Sequence, residues 1–332
     1  MHESYYYTSH DGDKVICQLC PHHCTISPGK SGVCKIRENR GGKLYDISYA
    51  KVSSIAMDPI EKKPLYHFYP GADILSIGGL GCNFECRFCQ NHEISQVSQL
   101  DFAKASTYMP EDIIELARVK KPGAGIAFTY NEPLMNFDFV LDTSKLAKDA
   151  GIPVVIVSNG YINPKPLDDL LPFVDAFNID LKGFSDPFYC HFTNGRLEPV
   201  LTTLKNILKA GKHLEVTHLL VNGANDDRDE FKEMLDWYLR KLGKDIPLHI
   251  SRYFPKFKFN NPPTNEDMLI EWVEIAREKL NFVYPGNVLS DASTYCSKCG
   301  EIVIKRSGFH SQTVALSDNK CLNCGNELPI IT

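Results

Sequence analysis

Eleven of the twelve cysteines in this chain fall into three groups, and their spacing points to metal chemistry rather than crosslinking. The central group, Cys82, Cys86 and Cys89, lies in the segment GGLGCNFECRFCQN that runs from Gly78 to Asn91. Three thiolates from one short loop can grip three corners of a [4Fe-4S] cubane and leave its fourth iron without a protein ligand. An open iron can take the amino and carboxylate groups of a bound cofactor, whereas a fourth thiolate favours a pure electron carrier. The competing reading is a structural zinc site completed by a residue such as His92.

The outer groups are four-ligand sets. Cys17, Cys20, Cys24 and Cys34 sit among the turn formers Pro28-Gly29, Ser31-Gly32 and Gly41-Gly42. They suffice for a closed structural zinc site or an additional iron–sulfur cluster, with His22 and His23 as alternative ligands. Zinc is preferred there, because a metal would clamp a segment with little apolar core of its own. At the other end, Cys296 and Cys299 pair with Cys321 and Cys324 as two Cys-x-x-Cys knuckles, each followed by a glycine. A tetrahedral zinc ribbon is the first reading of this set, and a rubredoxin-like single iron is the second. Cys190 stands alone beside His191 and reads as a buried thiol, or else as a hydrogen-atom donor in radical chemistry.

These residues need a scaffold, and the middle of the chain supplies one. Apolar, partly β-branched runs at Ile74–Ile77, Gly125–Thr129, Val154–Val157, Phe177–Leu181, Leu214–Leu220 and Leu248–Tyr253 predict strands. Helical stretches are expected at Pro110–Arg118, Phe137–Ala150, Val200–Ala210, Asp227–Leu242 and Asn265–Leu280, the first capped by Thr107. Such alternation predicts an α/β fold with a mostly parallel sheet. Cys82, Asn131-Glu132, Asn159-Gly160 and Lys182 all follow strand ends, the edge on which α/β proteins build their sites. The chain divides into an N-terminal cysteine-rich module (1–68), the alternating region (69–288) and a C-terminal metal module (289–332).

The Cys-x-x-x-Cys-x-x-Cys spacing, with an aromatic residue before the last cysteine, resembles the signature of the radical S-adenosylmethionine (SAM) superfamily. That resemblance implies a partial (β/α)6 TIM-like barrel in which Cys82, Cys86 and Cys89 ligate the cluster and Phe88 and its backbone contact the adenine of SAM. One electron from the cluster would cleave SAM to methionine and a 5′-deoxyadenosyl radical, which abstracts hydrogen from a substrate. By the same resemblance Glu132 accepts from the SAM amino group, although Tyr130-Asn131 stands where related activases carry a glycine pair. Asn159 shapes the SAM pocket, Asp180 and Lys182 orient SAM or substrate, and His249 lies near SAM. Arg252 is a candidate for an anionic substrate group.

The block from Asp58 to His67, taken with the flanking cysteines and Tyr130-Asn131-Glu132-Pro133, is similar to the AmmeMemoRadiSam system radical SAM enzymes, relatives of pyruvate formate-lyase activating enzymes. In that setting Lys62, Lys63 and His67 close over the substrate or SAM mouth. Expected partners are a reduced flavodoxin or ferredoxin as electron source, and Memo-like and AMMECR-type proteins. The substrate is an unidentified small molecule or protein. A glycyl-radical-enzyme activase and a non-catalytic iron–sulfur electron-transfer or metal-regulated interaction protein are the alternatives.

Composition narrows the field further. A formal net charge of -5 over 332 residues argues against a phosphate-neutralising surface and hence against nucleic acid as partner. No apolar run is long enough to span a bilayer, and the polar N-terminus does not read as a signal peptide. A reducing cytoplasm suits this many metal-ligating thiols.

Overall fold

The computed structural model describes residues 1–98 and 101–332. Strands Asp73–Gly78, Ile126–Thr129, Val154–Ser158, Ala176–Asp180, His213–Leu220 and Leu248–Arg252 lie side by side in chain order, all parallel. They correspond to the six apolar runs. Two more strands complete an eight-stranded mixed sheet: Val283–Gly286 adds in parallel beyond Leu248–Arg252, and Ser54–Pro59 runs antiparallel along Asp73–Gly78 at the other edge. The additional parallel strand contains Pro285 and Gly286, residues that weaken a strand signature and are tolerated at an edge.

Helices cover the sheet through apolar stripes. Leu197–Lys209 buries Val200, Leu201, Leu204 and Ile207, the three-and-four spacing of one helical face. Each such side chain taken from water stabilises the fold by about 1.5–3 kcal/mol. Arg228–Lys241 starts on Asp227, whose carboxylate accepts from the N–H groups of Asp229 and Glu230, and Glu266–Arg277 starts on Asn265. The helix Pro110–Lys120 does not use Thr107 as its cap. Its N-cap is Met109, whose backbone N–H donates to Asp112 Oδ2 at 2.8 Å, because Pro110 sets the first turn.

The N-terminal residues form short antiparallel pieces, one joining His2–Glu3, Lys43–Asp46 and Arg37–Arg40, another joining Tyr7–His10, Lys14–Cys17 and Thr25–Ile26. Buried Arg37 fastens them to helix Phe137–Asp149 through Asp138, with Nη1 to Oδ2 at 3.0 Å. The C-terminal residues fold as a second small antiparallel unit of Thr294–Tyr295, Ile302–Ser307 and His310–Thr313. Buried Arg306 ties this unit to the core: its Nη2 donates to Tyr66 O at 2.6 Å while its guanidinium lies 4.3 Å over the Tyr66 ring.

The end of the chain finishes the same surface. Ile331 N–H donates to His67 O at 2.8 Å, and Tyr69 N–H donates to Ile331 O at 2.7 Å. Phe68, Tyr69 and Ile331 share a pocket with Pro153, Asp175 and His213, which all stand at strand beginnings. The segment 64–71 and the tail therefore cover the amino-terminal end of the sheet. The cysteine loop occupies the opposite, carboxyl-terminal end. Among the described residues, no helix is long and apolar enough to cross a membrane.

Candidate cluster and cofactor site

The cysteine loop begins where strand Asp73–Gly78 ends. Gly81 holds φ +83°, a left-handed conformation that glycine adopts without cost, and an added Cβ there would press to 2.6 Å of the Ile36 side chain. The loop can thus pass tightly against the N-terminal module.

Cys82, Cys86 and Cys89 are free thiols at this edge. Burial raises the pKa of all three, Cys86 to about 12, so thiolates here call for a cation to compensate their charge. Among the described residues, the only group of three or more potential ligands whose atoms all lie within 4.8 Å of one another is Cys296, Cys299, Cys321 and Cys324. A single zinc holds its sulfurs about 3.8 Å apart. Cys82, Cys86 and Cys89 do not form such a tight set, an arrangement open to the corners of a polynuclear cluster.

Glu132 follows strand Ile126–Thr129 and caps the turn Pro133–Asn136. Its Oε1 accepts from Ser158 Oγ at 2.7 Å and from Leu134 N–H at 3.0 Å, and its Oε2 accepts from Asn159 N–H at 2.7 Å. Burial pushes its pKa up to about 7, against the pull of these three donors. Asn159 connects this carboxyl to the cluster loop. Its Nδ2 donates to Asn83 Oδ1 at 2.9 Å and points at Cys82 Sγ at 3.8 Å, while its Oδ1 accepts from Tyr161 N–H at 2.9 Å. Asn131 makes a second bridge, accepting from Gly79 N–H at 2.9 Å and donating to Gly81 O at 3.0 Å.

Tyr130, in place of a glycine, adopts φ +74°, a left-handed conformation that is strained for a residue with a side chain. Its hydroxyl bonds Asp58 and its ring receives Lys63 Nζ at 4.3 Å, contacts that offset the strain. The backbone bend that glycine would allow is therefore present here. On the next strand, Lys182 Nζ pairs with Asp180 Oδ2 at 2.9 Å. Burial disfavours the ammonium, but Asp180 and the Cys86 sulfur outweigh it and raise the Lys182 pKa. The cluster end of the sheet thus carries a fixed cation, Lys182, beside the thiols.

Several expected site residues are placed elsewhere. The Phe88 ring is buried against Phe188, with centroids 6.3 Å apart, so only its backbone remains for a contact with adenine. His249 is in a separate buried cluster, its Nε2 2.7 Å from Glu215 Oε2. Glu215 also accepts from Tyr66 N–H at 3.0 Å and His67 N–H at 2.7 Å, and lies 3.0 Å from His213 Nε2. Burial alone would raise the pKa of Glu215, but His213 and His249 hold it well below the usual carboxylate range.

The block 62–67 does not close over the mouth. Lys62 and Lys63 both bind Asp58 at 2.7 Å, and Lys63 is buried. His67 is fully enclosed, with Nε2 2.6 Å from Tyr284 Oη and Nδ1 3.2 Å from Pro329 O, at the end of the sheet away from the cysteines. Arg252 is occupied within its own segment, where Nε donates to Thr264 O at 2.7 Å and Nη1 pairs with Glu266. Cys190, expected to be buried, is exposed beside Arg196. Asn83, Ser158 and Glu215 were not singled out from the sequence. Asn83 and Ser158 adjoin flagged residues, whereas nothing local marks Glu215.

At the C-terminal set, Cys296 and Cys324 sulfurs lie 3.6 Å apart and Cys299 and Cys321 sulfurs 3.7 Å apart. These spacings are those of four sulfurs around one tetrahedral metal ion. The group can coordinate a metal.

Comparison with known proteins agrees with this geometry. Residues 76–238 match the family model of the radical SAM superfamily. The chain is 42% identical, over the full length of both proteins, to the uncharacterized protein MJ0808 of Methanocaldococcus jannaschii. It is 22% identical to the pyruvate formate-lyase 1-activating enzyme of Escherichia coli K12, over 52% of this chain and 71% of that protein. Among solved structures, Streptococcus suis SuiB bound to its precursor peptide SuiA aligns with a TM-score of 0.50 at 15% identity, over 68% of this chain and 50% of that one. A radical SAM catalytic domain with its three-cysteine loop at the carboxyl edge of a parallel sheet makes this chain a member of the radical SAM superfamily.

Proposed function

We propose that the protein is a radical SAM enzyme that cleaves SAM reductively and abstracts hydrogen from a small-molecule or protein substrate. The observation that carries this reading is the position of Asn159, which contacts both the Cys82 side and the Glu132 side of the strand edge. A cluster bound there with SAM supplies a 5′-deoxyadenosyl radical. Cys82, Cys86 and Cys89 are the residues that would hold the cluster, with Asn159 fixing the orientation of Cys82. Glu132, backed by Ser158 and Leu134, is the acceptor for the SAM amino group. Lys182 offsets thiolate charge beside Cys86 and Cys89, and Asp180 holds Lys182 in place.

The sequence likeness of the Asp58–His67 block is the ground for an AmmeMemoRadiSam-type assignment, and in this chain Asp58, Lys63 and Tyr130 of the matching segments interlock. Electron supply by a flavodoxin or ferredoxin and association with Memo-like or AMMECR-type proteins belong to the same proposal. The four C-terminal thiols suit zinc. EPR of the reduced, anaerobically reconstituted protein tests the core of this reading. SAM should shift the cluster signal. An unchanged signal from a fully loaded cluster would favour electron transfer without SAM.

A further inference from the structure

The four N-terminal cysteines surround one cavity. Cys17, Cys20, Cys24 and Cys34 all line it, together with Arg37 and Asn83. All four are free thiols, and Cys17, Cys20 and Cys34 are buried. They do not form the tight set seen at the C-terminus, where all four sulfurs lie within 4.8 Å of one another. A lone zinc needs the tight arrangement, with sulfurs about 3.8 Å apart. Four thiols that line one cavity without closing to that spacing suit a group with several metal atoms.

Arg37 gives a second, independent indication. It is 1% exposed. Its Nη1 donates to Asp138 and its Nη2 to Met135 O, but its buried Nε–H has no acceptor among the described residues. A buried unpaired donor on a charged group is costly. A thiolate-ligated iron–sulfur cluster in the cavity would bring both negative charge and sulfur acceptors.

The cavity also shares a wall with the catalytic loop. Asn83, which lines it, directly follows Cys82, and Asn83 O lies 2.8 Å from His22 Nε2. A Cβ placed on Gly81 would come 3.0 Å from Cys34 O. Cys34 and Cys82 thus stand on adjoining backbone segments, which makes the two thiol sets neighbours.

We propose that Cys17, Cys20, Cys24 and Cys34 hold a second iron–sulfur cluster that passes electrons to the cluster on Cys82, Cys86 and Cys89. A one-electron carrier of the flavodoxin or ferredoxin class reduces the N-terminal cluster by one electron. That cluster is reoxidised as it reduces its neighbour by one electron, and no bond forms or breaks. The electron-transfer part rests on the proposed radical SAM function, whereas the existence of the second cluster does not.

Acid-labile sulfide in the anaerobically reconstituted full chain separates the two questions, because a single-metal site at the C-terminus contains none. A variant with Cys82, Cys86 and Cys89 all changed to Ala should keep about half the wild-type sulfide, and its reduced EPR signal should not respond to SAM. Loss of all sulfide with a gain of zinc would overturn the second cluster. Should that variant fail to fold, Mössbauer spectroscopy of the iron-57-loaded wild type replaces it: about half of the cluster iron should be insensitive to SAM, and a single cluster population would overturn the proposal. In the wild type the N-terminal signal should relax faster than in the triple variant, since a second paramagnet lies beside it. Equal relaxation would refute the electron-transfer role, leaving the cluster itself in place.

Discussion

His218 is a buried side chain whose charge the fold opposes. It stacks near Trp272, its Nδ1 lies 2.8 Å from Leu181 O, and its Nε2 has no partner among the described residues. Burial lowers its pKa from 6.5 to about 4. The unfolded chain takes up this proton below pH 6.5 and the folded chain only near pH 4. The stability linked to His218 is therefore complete above pH 6.5 and is lost as the pH falls toward 4. The difference amounts to about 3 kcal/mol. Denaturant titrations across this range should show a shallower pH dependence for His218→Gln than for the wild type; parallel curves would refute the assignment.

Asn159 is the residue-scale test of the site itself. Asn159→Ala removes the contacts with Asn83 and Cys82 while leaving Glu132 its bond from the residue 159 backbone. Removing a partner of a metal ligand typically costs 10–100-fold in affinity or activity. SAM-dependent 5′-deoxyadenosine formation should fall about tenfold or more, and an unaffected rate would remove Asn159 from the site.

At the scale of elements, the six central strands and five of the helices were legible because their cores are long and periodic. The strand Val283–Gly286 was hidden by Pro285 and Gly286, and the strand Ser54–Pro59 by Asp58 and Pro59. In both cases pairing with a long neighbour outweighs local propensity. The rim residues Glu132, Asn159 and Lys182 were legible because each follows a strand. His249 and His67 were misplaced because a strand or loop position in sequence does not show which end of the sheet it occupies. The C-terminal unit offers a prediction at this scale. Its three-stranded sheet and the two-stranded sheet of Leu316–Ser317 and Lys320–Cys321 are small, and their single apolar cluster includes Cys296 and Cys321, so the metal should carry much of their stability. Cys299→Ser should abolish metal binding there and increase hydrogen exchange over 294–321, with strands 126–129 and 154–158 unchanged. Protection that survives metal loss would contradict this.

For the whole molecule, Glu215 joins parts that are far apart in sequence. One carboxylate receives the backbone of Tyr66 and His67 and the rings of His213 and His249, and His67 in turn contacts the C-terminal segment at Pro329. No sequence pattern reveals this, because Glu215 sits within a run of apolar strand residues and its partners come from three other places. Glu215→Ala leaves those donors buried without an acceptor. The expected loss is about 3–5 kcal/mol, read as a lower denaturation midpoint at unchanged m-value; a change under about 1 kcal/mol would show that water replaces the carboxylate.

The two cysteine-bearing ends play different parts in this architecture. The N-terminal set adjoins the catalytic loop through Gly81 and Asn83, whereas the C-terminal set packs at the opposite end of the sheet on Tyr66 and Tyr284. Chemistry is therefore expected to depend on the first and folding on the second. The most direct measurement of the central claim is product analysis after the anaerobically reconstituted, iron-loaded full chain is incubated with SAM and dithionite. The account predicts 5′-deoxyadenosine and methionine in equal amounts, both absent from the Cys86→Ala variant. Failure of a correctly folded, fully loaded wild-type protein to form 5′-deoxyadenosine would contradict it.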